Sequence, residues 1–172
     1  MNDIVRDFPN RFMMKIANAL MLDNEVNKAL YYNNEMDVDI YSLPELDNPI
    51  SELKDHKVFI DRRIDEIRKE GDIALYINLY RDNPYERNYK KSRFINTCKV
   101  EIGVICHKTC RKTLNGNRDL VVIDRAKKLL KNDRSLRGIG ECTFENTQPM
   151  YNMPYEYNGY LFIVEVDYFK NM

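Results

Sequence analysis

Three separate runs from residue 73 onward place apolar residues at every second position. They are "IALYINLY" from Ile73, "CKVEIGVICH" from Cys98 and "YLFIVEVDYF" from Tyr160. A period of two marks an extended strand, whose successive side chains point to opposite faces. In the first run Leu75, Ile77 and Leu79 oppose Ala74, Tyr76, Asn78 and Tyr80. In the second, Cys98, Val100, Ile102, Val104 and Cys106 share one face, and Lys99, Glu101, Gly103, Ile105 and His107 share the other. In the last, Tyr160, Phe162, Val164, Val166 and Tyr168 alternate with Leu161, Ile163, Glu165, Asp167 and Phe169. These strands need a partner layer on their apolar face.

The N-terminal half supplies a different period. In "PNRFMMKIANALML", residues 9–22, Phe12, Met13, Ile16, Ala17 and Leu20 fall on one helical face. Asp23 or Asn24 then caps a second short helix, "EVNKALYY". Residues 33–57 break the pattern with two prolines and clustered Asn and Asp, which marks a covering segment or a functional arm. "VFIDRRIDEIRKEGD" fits a helix through Ile60, Ile64 and Ile67, while "KVFI" fits a strand. After the second strand, "TLNGNRD" reads as a turn, and Asp119 opens a helix whose buried stripe is Val122, Ile123, Ala126, Leu129 and Leu130. "LRGIGE" stops that helix. A further strand is expected over 139–147, before the closing one at 159–169.

The expectation is one α+β domain over residues 1–172. It comprises a helical hairpin (1–32), an irregular arm (33–72) and a ββαββ core (73–172). A mostly antiparallel sheet of about four strands carries the helices on one face. A long hairpin loop joins the first two strands.

Composition narrows the function. The formal net charge is zero, which argues against a general polyanion binder and suits self-association. No apolar run approaches the ~20 residues that cross a bilayer, and the N-terminus has no apolar signal core. The expectation is a soluble intracellular protein with its four cysteines held as thiols. Twelve tyrosines accompany no tryptophan. Tyrosine suits half-exposed strand positions and subunit contacts alike.

Motifs for chemistry are sparse. Parity makes Cys98 and Cys106 core residues, because free Cys behaves as a small hydrophobe. His107 and Cys110 would supply two zinc ligands at the frayed strand end, but "CHKTC" lacks a second ligand pair. No phosphate-binding glycine motif and no Ser/His/Asp or HExxH arrangement is present. Glu165 and Asp167 share a strand face, where they bind a cation, face water or meet a basic partner. No catalytic residue, cofactor or metal is therefore expected. The hairpin loop interleaves Arg81, Arg87, Lys90, Lys91 and Arg93 with Tyr85 and Tyr89. Basic and aromatic interleaving of this kind also serves single-stranded nucleic acid binding. A small nucleic-acid-binding or regulatory protein using residues 81–93 is thus the alternative reading.

The opening "RFMMKIANALMLDNEVNKALYYN" is similar to the first helices of small neck proteins of tailed bacteriophages. The later "VEIGVICHK", "NRDLVVIDRAKKLL", "GIGECTFENTQPM" and "YNGYLFIVEVDY" agree with that layout. The chain resembles the tail terminator and head–tail connector family over nearly its whole length, without a diagnostic motif. The resemblance implies a structural virion protein at the head–tail junction, forming a homo-oligomeric ring, a hexamer or dodecamer. It implies portal or adaptor and tail tube proteins as partners, with genomic DNA passing through the lumen unread. It implies no membrane partner, and residence in the virion neck after assembly in the host cytoplasm. By analogy, the loop residues Tyr85, Arg87, Tyr89 and Lys90 and the arm residues Asp39 and Tyr41 are the expected subunit or partner contacts.

Overall fold

All three period-two runs become long strands of a single sheet. The structure, a computed structural model, describes residues 8–33, 37–60, 72–83, 95–136 and 142–169. In chain order the helices are α1 (Phe8–Leu22), α2 (Asn24–Tyr31), α3 (Pro49–Leu53) and α4 (Arg118–Asn132). The strands are β1 (Val58–Ile60), β2 (Ile73–Asn83), β3 (Ile95–His107), β4 (Lys112–Thr113), β5 (Gly116–Asn117), β6 (Thr143–Phe144), β7 (Gln148–Pro149) and β8 (Tyr157–Phe169). Short 3-10 turns occur at Ile40–Ser42 and Arg134–Leu136. The main sheet runs β1-β2-β3-β8-β6, with β7 also on β8. Strand β3 is central and antiparallel to both β2 and β8, while β1 joins β2 in parallel. The architecture is α+β with a mostly antiparallel sheet, as the periodicity predicts.

Parity decides the core. Cys98, Val100, Ile102, Val104 and Cys106 are all fully buried, alongside Leu75, Ile77 and Phe162. They join one cluster with Phe12, Ile16 and Leu20 of α1, Val26 and Leu30 of α2, and Val122, Ile123 and Leu130 of α4. Each fully buried Leu, Ile or Val stabilises by about 1.5–3 kcal/mol, so this face carries most of the fold's driving force. Asp23 ties the helices together. Its Oδ1 accepts from the amides of Glu25 and Val26, capping α2. Its carboxylate also accepts from Arg125 of α4, with Nε 3.1 Å from both oxygens and Nη2 donating to Oδ2 at 2.8 Å.

The opposite sheet face departs from a simple solvated surface. Tyr76 and Ile105 are buried there. Tyr76 pairs across the ladder with Gly103, and its ring lies where a Cβ on residue 103 would be, 2.4 Å away. The phenol donates to Glu101 Oε1 at 2.9 Å. Burial first, and the Glu101 charge second, push the Tyr76 pKa well above its usual value.

Three expectations need correction. Leu79 does not follow Leu75 and Ile77 into the core but is 38% exposed, because the β2–β3 register shifts between Leu79 and Arg81. Of the strand expected over 139–147, residues 139–141 lie outside the described residues, the rest pairs only as the short β6, and β7 follows it. Glu145 N–H still reaches the Ile163 carbonyl between them, and Pro149, lacking an N–H, keeps β7 short. Such a broken strand blunts the β8 edge. The arm is also less irregular than expected. Its described part holds a 3-10 turn, α3 and the parallel strand β1 (Val58–Ile60), while the helical alternative through Ile64 and Ile67 lies outside the described residues.

Candidate functional site

The arm and the β4–β5 hairpin build one docked surface unit. Asp39 Oδ1 accepts from the Tyr41 amide at 3.1 Å and from Asn115 Nδ2 at 3.0 Å. Asn115 Oδ1 in turn accepts from the Ile40 amide at 2.7 Å. Two main-chain bonds complete the dock, Leu114 N–H to the Val38 carbonyl and Asp37 N–H to the Lys112 carbonyl. Ile40 is fully buried and anchors the arm to the core. The hairpin closes with Gly116 at a φ of 111°, in the region that favours glycine. This lattice of side-chain to main-chain bonds presents two large apolar side chains to water: Tyr41 is 54% exposed and Leu114 70% exposed.

Of the sequence-predicted contacts, Tyr41 is displayed, while Asp39 serves as the cap that holds it. Tyr85, Arg87, Tyr89 and Lys90 lie outside the described residues. Leu114 was not expected. A lone apolar residue inside "TLNGNRD" is the signal that marks it. Further exposed aromatics, Tyr151 and Tyr155, sit between β7 and β8, with Lys108 Nζ 5.3 Å from the Tyr155 ring centre. An open groove of about 530 Å3 is lined by Leu22, Asp47, Asn48, Pro49, Ile50, Ser51 and Lys54.

Just before the hairpin in the chain lies a sulfur pair. Cys110 is not at a frayed strand end. It is buried, with its Sγ 3.6 Å from that of Cys106. The turn after β3 folds back, Cys110 N–H bonding the His107 carbonyl, and so brings residues 106 and 110 together. Arg118, fully buried, donates from Nε to the Cys110 carbonyl (2.8 Å) and from Nη1 to the Ala29 carbonyl (3.0 Å). Next to it, buried Asp119 pairs with Arg111 at 3.0 Å. Desolvation raises the Asp119 pKa against the opposing pull of Arg111. Within the sulfur pair, a hydrogen bond from Cys106 is the largest influence lowering the Cys110 pKa, and Arg118 adds to it. Cys106 shifts upward through the same bond and its burial. His107 turns the other way, with Nδ1 2.7 Å from Thr109 Oγ1 and its ring edge-on to Tyr157.

The acidic face of β8 is ion-paired. Glu165, 7% exposed, lies 3.3 Å from Lys99, which also bonds Glu145 at 2.9 Å. The Glu145 bond is the main reason the Lys99 pKa is raised. Asp167 accepts from Thr97 Oγ1. Among the described residues, no group of three His, Cys, Asp or Glu is placed to hold a metal ion, and no helix is long and apolar enough to cross a membrane.

The described residues define an α+β domain with a rigidly held apolar display. The YomW family model matches residues 23–166. The chain belongs to the YomW family, which is phage-derived. No curated protein matches the chain.

Proposed function

We propose that this phage-associated protein is a non-catalytic virion assembly part that forms a ring at the head–tail junction, ending the tail tube or joining it to the portal. The observation that carries the proposal is the Tyr41–Leu114 display. Two large apolar side chains are held outward on a braced arm and hairpin. Preorganisation of this kind lowers the ordering cost of a protein contact. The resemblance to neck proteins, the net charge of zero and the broken β8 edge support the same reading. The nucleic-acid alternative rests on residues outside the described set.

The test is sedimentation of the full chain with and without Tyr41→Ser and Leu114→Ser. Burial of two such side chains is worth about 3 kcal/mol, so the double variant weakens subunit association roughly a hundredfold. Its melting curve stays close to wild type, because neither side chain packs in the core. A chain that stays monomeric alone, and fails to join purified portal or tail tubes, refutes the assembly role.

A further inference from the structure

We propose that Cys106 and Cys110 form an oxidisable dithiol, closed to an intramolecular disulfide by a hydroperoxide. The inference is independent of the assembly role. The geometry carries it. The two sulfurs are already 3.6 Å apart, so they need approach by only about 1.5 Å to reach disulfide bonding distance. One sits at the end of β3 and the other just past the following turn. Closure is therefore a local adjustment of that turn and leaves the sheet ladder in place.

The environment separates the roles of the two thiols. Arg118 lies beside Cys110 and bonds its carbonyl, and the two thiols share one contact in which either sulfur can donate. The Arg118 charge favours a thiolate at Cys110, and deeper burial favours a retained proton at Cys106. Cys110 is also the member with residual exposure, 4% against 0%. Hydrogen peroxide, little larger than water, is an oxidant of suitable size.

The chemistry balances in two steps. The Cys110 thiolate attacks the peroxide, the O–O bond breaks, hydroxide leaves and Cys110 becomes a sulfenic acid. The Cys106 sulfur then attacks the Cys110 sulfur, and the S–O bond breaks. Water leaves with the thiol proton as the S–S bond forms. Each sulfur gives up one electron, and one peroxide becomes two waters. Cys98 and Cys142 lie elsewhere, Cys98 eight residues along β3 from Cys106 and Cys142 with its thiol on the Leu136 carbonyl.

The experiment treats the full-length protein with hydrogen peroxide and counts free thiols after denaturation, with peptide mapping by mass spectrometry. The expected count falls from four to two, with a single intrachain 106–110 link that a dithiol reductant reverses. Cys106→Ser abolishes the link and leaves a sulfenic acid at Cys110 that a 1,3-dione traps. Four thiols surviving peroxide, a link to Cys98 or Cys142, or Cys110 passing to sulfinic acid with Cys106 still reduced would each overturn the proposal. The wild-type map decides the matter even where the variant does not fold.

Discussion

Gly103→Ala isolates one steric contact on the less conventional face of the sheet. A Cβ at this position would sit 2.4 Å from Cε1 and Cζ of Tyr76 and 2.5 Å from its hydroxyl. Carbon atoms in contact prefer about 3.5–4.0 Å, so the ring must move by more than about 1 Å. Strand propensity alone would make Ala better than Gly by roughly 0.5–1 kcal/mol, so the two effects oppose. Overpacking a filled site costs about 1–3 kcal/mol, and a ring driven off Gly103 also strains its bond to Glu101. The steric term wins, with a net loss of about 2 kcal/mol. Tyr76→Ala alone costs roughly 3–4 kcal/mol as a buried aromatic truncation. In the double variant the clash has no ring to meet, and the new methyl occupies part of the vacated space. The two losses then fall short of additivity by about 2 kcal/mol. Urea unfolding of the four proteins, followed by far-UV circular dichroism, measures the cycle. A neutral Gly103→Ala, or additive losses, would show that the ring does not depend on the bare glycine.

Tyr76 also sets an alkaline limit. Its folded pKa is raised, so its stabilisation is complete below about pH 10 and is lost as pH rises toward the folded value, at about 1.4 kcal/mol per pH unit. Tyr76→Phe removes this one-proton slope, and the stability gap between wild type and variant should narrow above pH 10; parallel curves would argue against a protected phenol. Asp23→Ala removes an N-cap and a two-point contact with Arg125, which is about a third exposed, for a combined cost of about 2 kcal/mol. Asp23→Asn keeps a capping oxygen and should lose no more than about half of that in chemical denaturation. Equal losses for the two variants would mean that the ion pair, not the cap, dominates.

The fold was legible where one physical rule governed a long stretch. Alternation over β3 and β8 put every even-numbered residue from Cys98 to Cys106 on the helical side, because a strand has no other way to bury one face. Of the expected stripe, Val122, Ile123, Ala126 and Leu130 were readable for the same reason at helical period, while Leu129 is only half-buried. Legibility failed where a local event interrupts the rule. Leu79 keeps the parity of Leu75 and Ile77 in sequence, but a register shift beside it ends the agreement. In the described part of the strand expected over 139–147, the ladder is interrupted after Phe144, and Pro149, which has no N–H, ends the short β7 that follows.

The candidate site was harder to read because its contacts are non-local. Nothing in "DVDIYS" announces that Asp39 and Ile40 will share Asn115, 75 positions or more away. Asx chemistry predicts a turn at each end but not their union. The sulfur pair shows the converse limit. Parity correctly made Cys106 a core residue, but it applies only while the chain stays extended. Beyond His107 the chain turns, and the His107 carbonyl accepts from the Cys110 amide. That single bond moves Cys110 from an expected strand end to within 3.6 Å of Cys106. A sequence interval of four is too far along a strand for two sulfurs to meet, at roughly 3.3 Å of rise per residue. The same interval across a turn brings them together, so strand termination creates the dithiol.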